Sequence, residues 1–198
     1  MNVPSDSEGS TAPRPAATVM LVRDGDRAAG GIEVFMVRRS ARSPFMPDAY
    51  VFPGGAADPD DDDLIATAIR EVEEEAGVRL EREALVRFSH WVTPPGESTR
   101  RYDTHFYLAR ARDDHAPEAD EHETHDGRWV TAAAALREGE AGSMRLMYPT
   151  RKHLERLLAF PDVDALLAFA ATKPIVTVAP WASPDAGYAM PAELEGAW

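Results

Sequence analysis

Apolar residues along the chain fall into runs of two periods. Residues 18–22 and 32–37 are compact β-type stretches that predict two strands, with Asp24-Gly25-Asp26 and Gly30-Gly31 as turn signals between them. Tyr50-Val51-Phe52 predicts a short strand that runs into Pro53-Gly54-Gly55. Residues 85–91 and 104–109 predict two more strands, joined by a polar segment containing Pro94-Pro95-Gly96, and Arg128-Trp129-Val130 predicts a short one. Over residues 64–76 the period changes. Ile65, Ala68, Ile69 and Val72 recur at i, i+3, i+4 and i+7, the apolar stripe of a helix. Gly77 stands where a helix C-cap needs positive φ. Residues 132–137, 149–160 and 163–171 predict three further helices, the last two separated by Pro161-Asp162. After Pro174 comes an apolar run at 175–178, then mostly Pro, Ala and Gly. Strands interleaved with few helices, without an internal repeat, predict an α/β fold with a mixed sheet and helices on its faces.

Length sets the organisation. The 198 residues suit one domain with a substantial core. Residues 1–15, rich in Ser, Pro, Gly and Ala, are expected to form a disordered tail; 16–180 form the domain and 181–198 a C-terminal tail. The net charge of −13 argues against non-specific nucleic-acid binding and against an anionic membrane surface. No apolar run reaches the length of a membrane span, and the N-terminus lacks a secretory pattern. Cysteine is absent, which excludes disulfides and thiolate nucleophiles and fits a reducing, cytoplasmic location. An acidic protein with an anionic substrate needs metal ions and local arginines.

The chemistry concentrates in Arg70-Glu71-Val72-Glu73-Glu74-Glu75-Ala76-Gly77-Val78. Glu71, Glu74 and Glu75 stand at i, i+3 and i+4 and share a helix face. Three carboxylates on one face suit a hard cation such as Mg²⁺ or Mn²⁺, and such cations serve phosphoryl chemistry. A solvated acidic surface is the alternative. No lysine follows these glutamates at i+4, and the Phe52-Pro53-Gly54-Gly55 turn lies one loop upstream, where it would feed the helix.

This arrangement resembles the Nudix box: a Gly-Gly turn, an acidic loop, then Arg-Glu-apolar-x-Glu-Glu-x-Gly-apolar. Arg70, Glu71, Val72, Glu74, Glu75, Gly77 and Val78 match its second half at every position. In the first half, the spacing from Gly55 to Arg70 is one residue longer than usual, and aspartates (Asp58, Asp60 to Asp63) replace the usual loop glutamate. Both departures resemble the coenzyme A diphosphatases of the superfamily. Further segments are similar to the branch holding the peroxisomal coenzyme A diphosphatases and bacterial relatives. They are Val37 to Pro47 with Val51-Phe52-Pro53-Gly54-Gly55, His90-Trp91-Val92-Thr93-Pro94 with Arg101-Tyr102-Asp103-Thr104-His105-Phe106, and Pro149-Thr150-Arg151.

The resemblance implies a Nudix-type α/β/α sandwich with extra C-terminal helices. It implies a Mg²⁺- or Mn²⁺-dependent hydrolase acting on a small nucleotide, coenzyme A or acyl-CoA first. ADP-ribose or NADH is the rival substrate, and a non-catalytic nucleotide-sensing domain the rival of another class. Glu71, Glu74 and Glu75 are the implied metal ligands, with Arg70 pairing one of them. A later-loop carboxylate binds metal or acts as base in several Nudix enzymes; Glu118, Glu121 and Glu123 are candidates, Glu123 at a matching spacing, and His122 and His125 flank it. Arg38, Arg39, Arg42, Arg100 and Arg101 are the candidate phosphate partners, with Gly54 and Gly55 at the substrate. Phe45, Trp91 and Tyr102 are candidate stacking partners for a base, or packing residues. Homodimers are frequent among Nudix enzymes, but nothing in this sequence marks an interface.

Overall fold

A computed structural model describes residues 12–25, 31–43, 46–95, 100–112, 115–120, 124–183, 187–195 and 198. The chain opens with β1 (Arg14–Asp24), β2 (Ile32–Arg39), β3 (Ala49–Val51) and β4 (Gly54–Ala56), followed by α1 (Leu64–Ala76). Then come β5 (Val86–Val92), β6 (Tyr102–Arg110), β7 (Thr124–Thr131), α2 (Ala132–Glu140), β8 (Arg145–Leu146), α3 (Tyr148–Leu157) and α4 (Val163–Thr172). β9 (Thr177–Val178) and a hairpin of β10 (Trp181–Ser183) and β11 (Gly187–Ala189) complete the strands. The four expected helices form, and every strand expected from the periodicity overlaps an observed one, with Phe52 and Leu85 falling one residue outside β3 and β5.

β1 organises the sheet. One edge pairs in parallel with β6 from Arg14↔Tyr102 to Val22↔Arg110. The other edge is shared: its C-terminal end pairs with β2 and its N-terminal end with β4. The main path runs β8-β3-β2-β1-β6-β5-β9, with β7 on β2. β1 therefore begins at Arg14, inside the stretch expected to be a disordered tail, because the β6 ladder reaches that far. Gly54 to Ala56, expected only as a turn, is a strand because β1 offers it an open edge.

Side chains alternate across β1, and the two faces fill two cores. Ala17, Val19 and Leu21 pack with Ala68, Val72 and Ala76 of α1. Met20 and Val22 pack with residues of α2, α3 and α4. Helices thus cover both faces of a mixed sheet, the α/β/α sandwich expected. The α1 start is fixed by Asp63, whose side chain accepts hydrogen bonds from the Ile65 and Ala66 N–H groups. Its end is fixed by Gly77 at φ 65°, whose N–H bonds the Glu73 carbonyl.

In the segment beyond residue 180, Trp198 is buried at 2% exposure. Its ring meets Phe88, Trp91 and His153. His153 is fully buried and joins α3 to β5. Its Nδ1 lies 2.6 Å from the Pro149 carbonyl and its Nε2 2.6 Å from Ser89 Oγ. A carbonyl only accepts, so Nδ1 carries the proton and Nε2 accepts from the serine.

Burial holds His153 neutral, its pKa pushed down to about 3 from 6.5. The unfolded chain therefore binds this proton first as pH falls. The contribution is present in full above about pH 6.5 and is lost as pH falls toward 3. Thermal melts across that window should show a shallower acid loss in His153→Gln than in wild type; equal slopes would rule the histidine out.

Candidate active site

The site forms where β4 passes the inner side of α1. Pro53 ends the β3 segment, and Gly54 turns onto β1 at φ 156°. A Cβ on Gly54 would lie 2.4 Å from the Ala17 carbonyl and 2.6 Å from Thr18 Cα, so only glycine fits there. The Gly54 N–H donates to Glu75 Oε2 at 2.9 Å. A Cβ on Gly55 would lie 2.4 Å from Glu71 Oε2. Gly54 and Gly55 therefore let a backbone strand approach two carboxylates one helical turn apart.

Glu75 is only 5% exposed. Burial pushes its carboxyl up to about 8; the Gly54 N–H opposes the shift, and the Glu71 carboxylate adds to it. Glu74 is the exposed member of the trio, its side chain 59% accessible.

Arg70 holds the outer side of this cluster. Its Nε and Nη2 meet Asp61 Oδ1 and Oδ2 at 3.1 and 2.9 Å, a bidentate pair. Nη1 reaches Glu71 at 2.7 Å and Glu74 at 3.0 Å, and Nη2 reaches the Ala56 carbonyl at 3.2 Å. Asp61 is held well below the usual carboxylate range, chiefly by the Arg70 hydrogen bonds. The loop aspartates thus divide their work. Asp61 anchors Arg70 and accepts from Thr67, Asp63 caps α1, and Asp58 lines the cleft.

The cleft beside β4 measures about 470 Å³ and is lined by Glu71, Glu74 and Glu75 together with Gly54, Gly55 and Arg70. The far wall comes from the C-terminal part of the chain, through Met147, Pro149 and Thr150. A recess of about 100 Å³ adjoins it, sharing Met46, Thr93, Thr104 and Phe106 with the cleft. It extends between Trp91, Tyr148, Pro180 and Tyr188 and is almost wholly apolar.

Of the five arginines expected at phosphate, Arg39 alone lines the cleft. It bonds Ser43 Oγ at 3.1 Å and lowers the Glu75 pKa through its charge. Arg38 pairs with Asp48 at 2.8 Å instead. Arg42 is exposed, Arg101 Nε bonds the Thr93 carbonyl at 2.9 Å, and neither these two nor Arg100 lines the cleft. Alternation explains part of this, because adjacent strand residues point to opposite faces. Arg14, placed with the tail in the sequence, does line the cleft. Glu121, His122, Glu123 and Phe45 lie outside the described residues. Glu118 is exposed, whereas Asp120, not among the expected carboxylates, raises the Glu75 pKa through its charge. Its only sequence signal is membership of the acidic loop before β7. Tyr102 lines the cleft; Trp91 is buried at 3% exposure, with its ring against His153 and Trp198. His125 sits on β7 opposite Arg38 of β2.

The donor set fits a hard divalent cation. Buried Glu75 and neighbouring Glu71 repel one another, and a cation relieves that repulsion while meeting only oxygen ligands.

Comparisons with known proteins agree with this geometry. The NUDIX domain family profile matches residues 12–150. The chain is 26% identical over 190 residues to putative nudix hydrolase 7 of Caenorhabditis elegans, covering 76% of this chain and 62% of that protein. It is 32% identical over 80 residues to the chloroplastic Nudix hydrolase 14 of Arabidopsis thaliana, covering 40% of this chain and 25% of that one. The chain thus spans less than two thirds of the length of either relative. The crystal structure of a NUDIX hydrolase from Alicyclobacillus acidocaldarius superposes with a TM-score of 0.71 at 27% identity, covering 83% of this chain and 99% of that one.

The two glycines separate fold from site. Gly54→Ala meets β1 backbone, and its melting temperature should fall by many degrees. Gly55→Ala meets only the movable end of Glu71. It should melt within a few degrees of wild type yet bind Mn²⁺ at least about tenfold more weakly, as read by electron paramagnetic resonance. Equal Mn²⁺ affinity in folded Gly55→Ala would sever Glu71 from the cation.

Proposed function

The chain belongs to the Nudix family, and from that premise we propose that it is a Mg²⁺- or Mn²⁺-dependent diphosphatase acting on a nucleoside diphosphate linked to another group. The observation that carries the reading is Glu75, buried beside Glu71 with its carboxyl pushed up to about 8. Such a carboxylate is costly without a cation. Glu71, Glu74 and Glu75 hold the ion, which when bound neutralises phosphate charge and lowers the pKa of a coordinated water.

The chain's own residues do the positioning. The Gly54 N–H orients Glu75, and Arg70 fixes the carboxylates of Glu71 and Glu74 while Asp61 holds Arg70. Arg39 and Arg14 bring positive charge to a cleft whose other charges are mainly acidic, and they are the phosphate contacts. Asp120 is the later-loop carboxylate that acts on Glu75 electrostatically.

For the substrate we favour coenzyme A or acyl-CoA, cut to 3′,5′-ADP and (acyl-)phosphopantetheine. The support is a polar cleft that continues into an apolar recess, suited to a molecule with a diphosphate at one end and an apolar arm at the other. The matching upstream segments of the sequence favour the same branch.

A hydrolysis screen with Mg²⁺ and Mn²⁺ over coenzyme A, acetyl-CoA, dephospho-CoA, ADP-ribose and NADH, with products weighed by mass spectrometry, tests this. Release of 3′,5′-ADP supports it. Cleavage of ADP-ribose or NADH alone keeps the chemistry and replaces the substrate, and nucleotide binding without turnover puts a sensing domain in its place. Glu74→Gln should lower kcat on the order of a hundredfold or more while the protein stays folded. Arg39→Ala should raise KM about tenfold with a smaller change in kcat.

A further inference from the structure

Behind the cleft, on the opposite face of the sheet, lies a second group of metal-ligating side chains. Asp103 and His105 alternate along β6 with Tyr102, Thr104 and Phe106 of the cleft, so they point the other way. His90 on β5 stands directly across from His105, and Thr177 on β9 stands across from His90. The pleat thus sets His105, His90 and Thr177 in a row over three neighbouring strands, with Asp103 diagonal to His90. The imidazole rings of His90 and His105 lie 4.5 Å apart, centroid to centroid. One ligand atom from each of His90, Asp103 and His105 falls within 4.8 Å of the other two. All three side chains are partly accessible to solvent.

We propose that His90, Asp103 and His105 form a binding site for a borderline transition-metal ion, of which Zn²⁺ is the representative, separate from the glutamate cluster of α1. Two imidazole nitrogens and one carboxylate oxygen make a three-ligand set with an open position toward solvent. At bond lengths of roughly 2.0–2.2 Å the ligand atoms of a tetrahedral ion stand roughly 3.4 Å apart, inside the 4.8 Å that bounds this group, so side-chain rotations can close the site. His90 Nε2 now hydrogen-bonds an Asp103 oxygen. On binding, the ring takes the tautomer protonated at Nδ1 and the ion stands between Nε2 and the carboxylate. His90 Nδ1 lies 2.9 Å from Thr177 Oγ1, a hydroxyl that can donate to the bare nitrogen or accept from the protonated one, and this contact fixes the ring orientation as outer partners of ligating histidines do.

Chemistry sorts the two sites. Mg²⁺ prefers oxygen and suits the glutamates, whereas imidazole nitrogens favour Zn²⁺. An ion at His90, Asp103 and His105 ties β5 to β6 at the stretch from which Tyr102 and Thr104 enter the cleft. The site therefore braces that wall from behind.

The test uses the full, tag-free chain, stripped with chelator and titrated with Zn²⁺ under saturating Mg²⁺ by calorimetry. Histidine ring resonances are followed by NMR. The expected result is one Zn²⁺ per chain with the His90 and His105 resonances shifted, and a higher melting temperature with Zn²⁺ than without. Affinity should fall at least tenfold in His105→Asn and in Asp103→Asn, and should be unchanged in Glu74→Gln. Asp103→Asn keeps a hydrogen-bonding group beside His90, so it decides the question if His105→Asn unfolds. Absence of Zn²⁺ binding, equal affinity in folded Asp103→Asn, or loss of binding in Glu74→Gln overturns the site. None of these results depends on which substrate the cleft takes.

Discussion

Arg70 is the point at which loop, helix and strand become one object. A guanidinium has five donors in a rigid plane and cannot lose its charge. Here those donors go to Asp61 of the loop, to Glu71 and Glu74 of α1, and to the Ala56 carbonyl of β4. The contacts draw on three segments, so the guanidinium fixes their separation. Without it, three carboxylates would stand together beside a strand of two glycines and an alanine, which offers no polar side chain to hold them. The bidentate Asp61 pair also sets the direction of the guanidinium plane. That direction in turn sets the outward limit of Glu71 and Glu74.

On the inner side the constraint is closeness. Glycine at 54 and 55 allows β4 to lie against both β1 and α1, and the Gly54 N–H supplies a hydrogen bond that the buried Glu75 could not take from water. α1 therefore has three sectors. Ala68, Val72 and Ala76 pack on the sheet, Glu71 and Glu75 face the glycine strand, and Glu74 reaches toward solvent. One helix is both structural support and the source of the acidic group, and the cost of burying Glu75 is borne by the packing around it.

The C-terminal elements shape the rest of the cleft. α3 begins at the cleft wall, and His153 in its middle bridges Pro149 to Ser89 of β5. Trp198 closes over this histidine and over Trp91. The apolar recess opens beside the same group. Distant parts of the chain thus decide how far the cleft extends, while the acidic cluster itself comes from a single stretch, residues 54–75.

Sequence alone determined what depends on local periodicity and local chemistry. The α1 stripe and its end at Gly77 follow from 3.6 residues per turn and from local capping, and they stand as expected. Strand positions followed from apolar runs in the same way. Tertiary structure alone decided which strand edges met. The β6 ladder drew Arg14 out of the expected tail and into the cleft, and β1 turned the glycine pair into a strand. It also decided which arginines face the site, admitting Arg39 and sending Arg38 to Asp48. It singled out Asp61 among equivalent aspartates, chose Asp120 over Glu118, and buried a terminal tryptophan. The physical reason is range. Helical neighbours are fixed by spacing along the chain, whereas ladder register, ion-pair choice and burial depend on segments far apart in sequence that meet only when the whole chain has folded.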